Sequence, residues 1–183
     1  MRRRKPAPVP PSASAGTSGG ARAVRIVEPT GLDEGSPAPE FQLPDQNGRT
    51  RTLSELRGHW VVLYFYPKDD TTGCTREACA LRDEFVTFSE LGARVVGVSL
   101  DRVKSHERFA RKHALPFPIL SDRGGWVALA YGVRRGLGPL KYAKRVTFLI
   151  DPEGRIACVY RNVKPRTHAA QLVADLRVLQ ECR

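Results

Sequence analysis

Two cysteines, Cys74 and Cys79, stand five residues apart directly after a strongly apolar run, residues 59–66. The run predicts a buried strand, and the apolar residues after the cysteines recur at helical spacing. Cys74 is therefore expected in the first turn of a helix. A thiol there faces free backbone N–H groups and the positive end of the helix dipole, which favour the reactive thiolate. This placement predicts redox chemistry at sulfur.

Composition limits the class of protein. The 183 residues, 41% of them hydrophobic, suit one domain with a real core. No run of about 18 apolar residues occurs, so we expect no membrane span. The net charge of +11 could serve an acidic partner. Aromatic residues do not interleave with the basic ones, however, so nucleic-acid binding is disfavoured.

The tail and the domain differ in composition. Residues 1–30 are rich in Pro, Ala and Ser and carry six basic side chains against one acidic side chain. They have too few large apolar residues to offset the entropy of ordering, so we predict a disordered basic tail. Residues 31–183 should form one domain. Four irregularly spaced cysteines do not suit a secreted disulfide framework. We expect the reducing cytoplasm, with organelle import through the tail as the alternative.

The domain reads as an α/β fold with a mixed central sheet flanked by helices. Asn47-Gly48 predicts a hairpin turn, and residues 54–57 a short helical turn. One helix is expected over residues 74–91, a buried strand over 93–100, and a helix capped by Asp101 after it. The remaining predictions are a short strand at residues 119–120, a helix over 126–131, a hairpin of residues 146–150 with 156–160, and a final amphipathic helix capped by Thr167.

The spacing of Pro67, Thr71 and Cys74 resembles the peroxiredoxin active-site loop, P-x-x-x-T-x-x-C. The flanking sequences, Phe-Tyr-Pro-Lys-Asp-Asp before it and Cys-Thr-Arg-Glu-Ala-Cys from Cys74, are similar to the bacterioferritin comigratory protein or peroxiredoxin Q branch. The likeness runs from about Gly35 to the last helix. It implies a thioredoxin-like fold and thiol-dependent reduction of hydrogen peroxide and organic hydroperoxides. It also implies no metal, haem or flavin cofactor.

The resemblance also supplies partners for Cys74. Arg145 matches the family's active-site arginine, a permanent cation that can stabilise the thiolate and bind peroxide oxygens. Glu77 matches the position that holds this arginine by a bidentate pair. Pro67 can shield the thiol from water, and the Thr71 hydroxyl can both donate and accept hydrogen bonds. The chain departs from many relatives at Thr72, where they have proline.

Cys79 is the candidate resolving thiol, which would form an intramolecular disulfide with Cys74. We expect a thioredoxin-like donor to reduce this disulfide and the enzyme to be a monomer. Five residues of helix separate two Cα atoms by about 8.7 Å, beyond the ~7 Å that a disulfide tolerates. The first helical turns must therefore unwind if Cys79 resolves. Packing is the alternative role for Cys79, because some relatives use an outside thiol.

The other candidates are weaker. Cys158 reads as a sheet residue, and Cys182 as an exposed residue near the end of the chain. A zinc site is disfavoured, since C-x4-C lacks the usual two-residue gap. We expect Lys68, Asp69 and Asp70 to be solvated loop residues and the histidines to be solvated or structural. The alternative functions are a redox-sensing or disulfide-exchange protein of the thioredoxin fold, although a reductase is expected to carry C-x-x-C.

Overall fold

The computed structural model describes residues 32–181. The nine strands of this part are β1 (Gln42–Pro44), β2 (Thr50–Thr52), β3 (Trp60–Phe65), β4 (Ala93–Ser99), β5 (Ile119–Ser121), β6 (Arg134–Arg135), β7 (Tyr142–Ala143), β8 (Val146–Ile150) and β9 (Ile156–Tyr160). Its five α-helices are α1 (Thr72–Asp83), α2 (Phe85–Glu90), α3 (Val103–Lys112), α4 (Trp126–Ala130) and α5 (His168–Glu181). The predicted disorder of residues 1–30 and the prediction for Cys182 lie outside the described residues.

A five-stranded sheet in the order β5-β4-β3-β8-β9 forms the centre of the domain. β3 pairs in parallel with β4, and β4 with β5, whereas β8 runs antiparallel to both β3 and β9. Every residue of β3 is buried, as its continuous apolar sequence predicts for a central strand. The predicted mixed sheet and the β8–β9 hairpin are confirmed.

Helices and loops cover both faces of this sheet. Alternate residues of β3 point to opposite faces, so Tyr64 joins the core beneath α1, α3 and α5, whereas Leu63 and Phe65 join the core beneath α4. The helix that carries Cys74 and Cys79 thus rests on one buried face of the central sheet. Among the described residues, no helix combines the length and the apolar character needed to cross a bilayer.

Two sequence predictions about helices are wrong. The single helix expected over residues 74–91 begins at Thr72 and is interrupted at Glu84, which separates α1 from α2. This break allows α1 to pack on α5 while α2 packs on β4. Asp101 does not cap α3, whose N-cap residue is Arg102. The Asp101 carboxylate instead accepts a hydrogen bond from the backbone N–H of Asp69, at 2.7 Å.

The short β6–β7 hairpin was not predicted from the sequence. Its strands have two residues each, Arg134 pairing with Ala143 and Arg135 with Tyr142. The predicted hairpin at Asn47-Gly48 is confirmed by the antiparallel pairing of β1 with β2, and Gly48 adopts a φ of +75° there. Glycine adopts this left-handed conformation without a steric penalty. The helices predicted before β6 and at the end of the domain are present as α4 and α5.

Candidate active site

Cys74 lies at the turn from the central strand into α1. The helix begins at Thr72 with Thr71 as its N-cap residue, so Cys74 occupies the third helical position. The carbonyl of Thr71 accepts the N–H of Thr75 at 2.9 Å, whereas the N–H groups of the first turn have no carbonyl one turn earlier in the helix. The Cys74 side chain is buried, with 1% exposure. The thiol is therefore held at the positive end of the helix and largely shielded from water.

The guanidinium of Arg145 bridges Cys74 and Glu77. Its Nη2 donates to Cys74 Sγ at 3.2 Å, and its Nη1 donates to Glu77 Oε2 in a close ion pair. The register of the sheet explains this meeting, because Val146 pairs with Phe65, the last residue of β3. Arg145, one residue before Val146, consequently lies beside the loop that follows β3. The structure thus brings together Cys74, Glu77 and Arg145, three of the residues that the family resemblance had singled out.

Gly73 makes room for this arginine. A Cβ atom built at Gly73 would stand 3.0 Å from Arg145 Nη2. This role of Gly73 was not predicted from the sequence. A signal was available, because glycine is unfavourable inside a helix by about 1 kcal/mol relative to alanine. Its presence at the second helical position indicates that a side chain would obstruct something nearby.

Glu77 is a buried carboxylate with one oxygen paired. Burial raises the pKa of Glu77 from 4.5 to about 7, against the opposing effect of the Arg145 charge. Its Oε1 has no hydrogen-bond partner among the described residues. An ionised carboxylate at this position is costly because its desolvation is only partly compensated.

Thr71 and Pro67 flank the loop before the helix. The Thr71 hydroxyl donates to the backbone carbonyl of Lys68 at 3.2 Å, which commits its proton to the loop and leaves its lone pairs free to accept. Thr71 is exposed and Pro67 is half-buried. Thr71 is thus positioned as a hydrogen-bond acceptor at the entrance to the helix.

Asp69 anchors the loop and is not a solvated residue, which corrects the sequence prediction. It is only 7% exposed. Its carboxylate accepts from the Tyr66 hydroxyl at 2.8 Å and lies 2.9 Å from His106 Nδ1. His106 is fully buried, and its Nε2 lies 3.2 Å from the carbonyl of Leu120. The sequence missed this cluster because its members come from three separate elements.

Asp70 ties the same loop to the end of α3. It adopts a φ of +56°, a conformation that aspartate tolerates better than most residues. Its carboxylate accepts from Lys112 Nζ at 2.8 Å, and this hydrogen bond is the main reason that the pKa of Asp70 is lowered. Lys68 is exposed, as predicted.

Cys79 lies in the same unbroken helix as Cys74 and is half-buried. The helical distance of about 8.7 Å between their Cα atoms therefore applies to the folded protein. Cys158 lies in β9, where burial raises the pKa of its thiol. The prediction that Cys158 is a sheet residue is confirmed.

Residues 35–159 match the model of the AhpC/TSA family. The chain belongs to the AhpC/TSA family. This peroxiredoxin is 45% identical over 149 residues to a putative peroxiredoxin bcp of Coxiella burnetii, covering 79% of this chain and 99% of the relative. It is 41% identical to peroxiredoxin Bcp of Bacillus subtilis, covering 82% and 98% of the two chains.

Solved structures agree with these sequence relatives. Peroxidoxin BcpB of Mycobacterium tuberculosis superposes with a TM-score of 0.77 at 40% identity, covering 81% of this chain and 98% of that one. A bacterioferritin comigratory protein of Xanthomonas campestris, solved in connection with its alkyl peroxide reduction activity, superposes with a TM-score of 0.74 at 34% identity, covering 80% and 99%. The thioredoxin-like fold and the Bcp and peroxiredoxin Q branch are confirmed, and the peroxiredoxin is a thiol peroxidase.

Proposed function

We propose that this peroxiredoxin works with Cys74 as the peroxidatic thiol and Cys79 as the resolving thiol. The contact of 3.2 Å between Arg145 Nη2 and Cys74 Sγ carries the proposal. A guanidinium at this distance stabilises the thiolate and remains available to the oxygens of a peroxide. Buried at the start of a helix, the sulfur also has backbone N–H groups beside it for the developing negative charge.

The first half-reaction oxidises Cys74. The thiolate attacks one peroxide oxygen, the O–O bond breaks, and the other oxygen leaves as an alkoxide or hydroxide that takes up a proton. Cys74 becomes a sulfenic acid. Arg145 holds the two oxygens in line, and the lone pairs of Thr71 accept a hydrogen bond from the peroxide proton. The alkyl peroxide activity of the Xanthomonas campestris relative supports organic hydroperoxides as substrates beside hydrogen peroxide.

The second half-reaction joins Cys79 to Cys74. The Cys79 thiolate attacks the sulfenic sulfur, a disulfide forms and water leaves, so one peroxide and two thiols give one alcohol, one water and one disulfide. Because α1 separates the Cα atoms by about 8.7 Å, its first turns unwind for this step. A dithiol of the thioredoxin type then reduces the disulfide by exchange. We further propose that the enzyme acts as a monomer in a reducing cytoplasm, and the chloroplastic names of plant relatives keep organelle import as the alternative.

Mass spectrometry after one equivalent of peroxide tests these assignments. We expect a Cys74–Cys79 disulfide in the parent protein and a sulfenic acid on Cys74 in Cys79→Ser. Cys74→Ser should lose peroxide turnover, whereas Cys79→Ser should complete one turnover and then stall. Peroxide turnover that persists in Cys74→Ser would refute the role of Cys74. A disulfide that pairs Cys74 with Cys158 instead would refute the role of Cys79.

Hydrogen exchange tests the unwinding. The amides of α1 should be protected in the reduced protein and should lose protection in the disulfide form, with the β4 amides as an unchanged reference. Equal protection of α1 in both forms would contradict resolution by Cys79. We expect the protein not to reduce insulin. Reduction of insulin would favour the alternative function, a disulfide-exchange protein.

A further inference from the structure

Four of the large hydrophobic side chains that remain exposed lie within one short segment. They are Trp126 at 72% exposure, Leu137 at 87%, Leu140 at 79% and Tyr142 at 45%. We call these four residues the 126–142 patch. Elsewhere in the part of the chain that the structure describes, only Val86 and Val178 are large, hydrophobic and exposed. Grouped exposed apolar side chains indicate an interaction site, whereas isolated ones are ordinary.

The start of α4 and the β6–β7 hairpin, which carry the residues of the patch, lie against each other. Lys141 Nζ, from the hairpin, donates to the carbonyl of Gly124 at 3.4 Å. A Cβ atom at Gly125 would stand 2.9 Å from Cδ of Arg134. Because Gly124 and Gly125 directly precede Trp126, these contacts hold the aromatic ring and the hairpin on neighbouring parts of the surface.

The segment that carries the patch has charges of a single sign. Between Asp122 and Asp151 the sequence contains no acidic residue. The same stretch has six basic residues: Arg123, Arg134, Arg135, Lys141, Lys144 and Arg145. A positive rim of this kind attracts a partner with an acidic surface and accelerates their encounter.

The patch borders the candidate active site. Tyr142 precedes Arg145 by three residues, which limits the distance between their Cα atoms to about 11 Å. The backbone N–H of Lys144 donates to the carbonyl of Val133 at 2.8 Å and fixes this stretch to the body of the domain. Arg145 in turn contacts Cys74 Sγ. A protein bound to the patch would therefore have its own reactive group near the sulfur.

We propose that the 126–142 patch is the docking surface for the protein that reduces the Cys74–Cys79 disulfide, a dithiol protein with an acidic rim around an apolar centre. This inference rests on the proposed function. In the exchange, a thiolate of the reductant attacks one sulfur of the disulfide and displaces the other as a thiolate. The second thiol of the reductant then breaks the mixed disulfide, so the reductant leaves oxidised, Cys74 returns as the thiolate, and the two protons of the reductant pass to Cys79 and to solvent.

The chemistry of the patch favours this occupant over two others. Protein interfaces have an apolar centre inside a polar rim, with tryptophan, tyrosine and arginine enriched at the residues that matter most. A second copy of the chain in a two-fold dimer would set the same basic rim against itself. A nucleic acid would use the positive charge and the aromatic rings but gains little from the aliphatic Leu137 and Leu140.

Kinetics of the second half-reaction test the proposal directly. The disulfide form is prepared with diamide, so the measurement does not depend on peroxide activity. Its reduction is followed with an acidic thioredoxin and, in parallel, with dithiothreitol. There are two test variants. The first combines Arg135→Glu with Lys141→Glu, and the second is Trp126→Ala alone. The control for the charge reversal combines Arg94→Glu with Arg177→Glu, which changes the net charge by the same amount. The control for Trp126→Ala is Val86→Ala, which removes an exposed apolar side chain elsewhere.

We expect both test variants to lower kcat/KM for thioredoxin by about tenfold or more, with the reaction of dithiothreitol and the oxidation by peroxide unchanged. Rising salt should slow the parent protein with thioredoxin and affect the charge-reversed variant little. An unchanged rate with thioredoxin, a loss equal to that of the controls, or an equal loss with dithiothreitol would overturn the docking surface. The proposal would also be overturned if the variants reacted normally with thioredoxin but no longer bound a 20-nucleotide single-stranded DNA, or no longer formed a dimer, as the parent protein did. Failure of the parent protein to react with peroxide would refute only the proposed function.

Discussion

The burial of Glu77 predicts that the first turns of α1 open more readily as the pH rises. In the folded helix burial raises the pKa of Glu77 to about 7, against 4.5 for a solvated carboxyl. The groups that interact with it are Arg145, the residue before β8, which also contacts Cys74, and the phenol of Tyr64 from β3. Burial raises the pKa of Tyr64 far above its ordinary value, so this phenol stays neutral and does not titrate with Glu77.

The direction of this pH dependence follows from proton binding to Glu77. The folded helix holds a proton on Glu77 that the unwound segment releases, so Glu77 stabilises the folded helix most below pH 4.5. This stabilisation is lost as the pH rises through about 7. The difference of about 2.5 in pKa corresponds to about 3 kcal/mol, at about 1.36 kcal/mol per pKa unit. Between pH 5 and pH 8 the opening equilibrium should increase about 70-fold from this group.

Hydrogen exchange of the α1 amides measures this opening. Both the parent and Glu77→Gln carry Cys74→Ser, which removes the titration of the thiol. After correction for intrinsic exchange, protection of α1 in the parent should fall by up to about 70-fold from pH 5 to pH 8, while the β4 amides keep theirs. In Glu77→Gln the protection of α1 should vary little with pH. Glu90→Gln, which alters an exposed carboxyl on α2, is the matched control and should behave like the parent.

A flat pH profile in the parent would refute the argument, because it would mean that Glu77 has the same proton affinity in the folded and the unwound helix. An equal slope in Glu77→Gln would assign the pH dependence to another group. In either case the unwinding itself could still occur, since its need rests on the distance between Cys74 and Cys79 and not on Glu77.

Three further predictions concern the residues around the thiol. Gly73→Ala should lower kcat/KM for peroxide by about tenfold, because a Cβ at 3.0 Å displaces the guanidinium of Arg145, without lowering stability to urea; an unchanged kcat/KM would show that the arginine adjusts freely. Arg145→Lys should lower kcat/KM for peroxide by about tenfold to a hundredfold, since one ammonium cannot reproduce the two contacts of the planar guanidinium. Full activity in stopped-flow oxidation would contradict this. Asp69→Asn should destabilise the domain by about 1–3 kcal/mol in urea unfolding, because His106 and Tyr66 lose a buried charged acceptor, and an unchanged midpoint would show that the cluster does not hold the loop.

Much of the local structure around Cys74 could be predicted from the sequence, because it depends on neighbours along the chain. The apolar run before Pro67 predicts a buried strand, and helical spacing after Cys74 predicts a helix, so the thiol must fall at the junction. The same spacing places Cys79 too far along the helix to pair without unwinding. Arg145 and Glu77 came from the family resemblance and not from spacing, because nothing local connects residues that are 68 positions apart.

The tertiary structure decided which distant residues meet and which polar groups are buried. Antiparallel pairing of β8 with β3 delivers Arg145 to Cys74, a contact across 71 residues of sequence. Asp69 reads as a solvated loop residue until the fold sets His106 beneath it, and the need for glycine at position 73 becomes evident only when the guanidinium lies over it. Periodicity reports the burial of one segment at a time, whereas pairing, close approach and desolvation depend on how separate segments pack together. The spacing of the cysteines was therefore fixed along the chain, and the charge environment that makes one of them a candidate nucleophile arises only on folding.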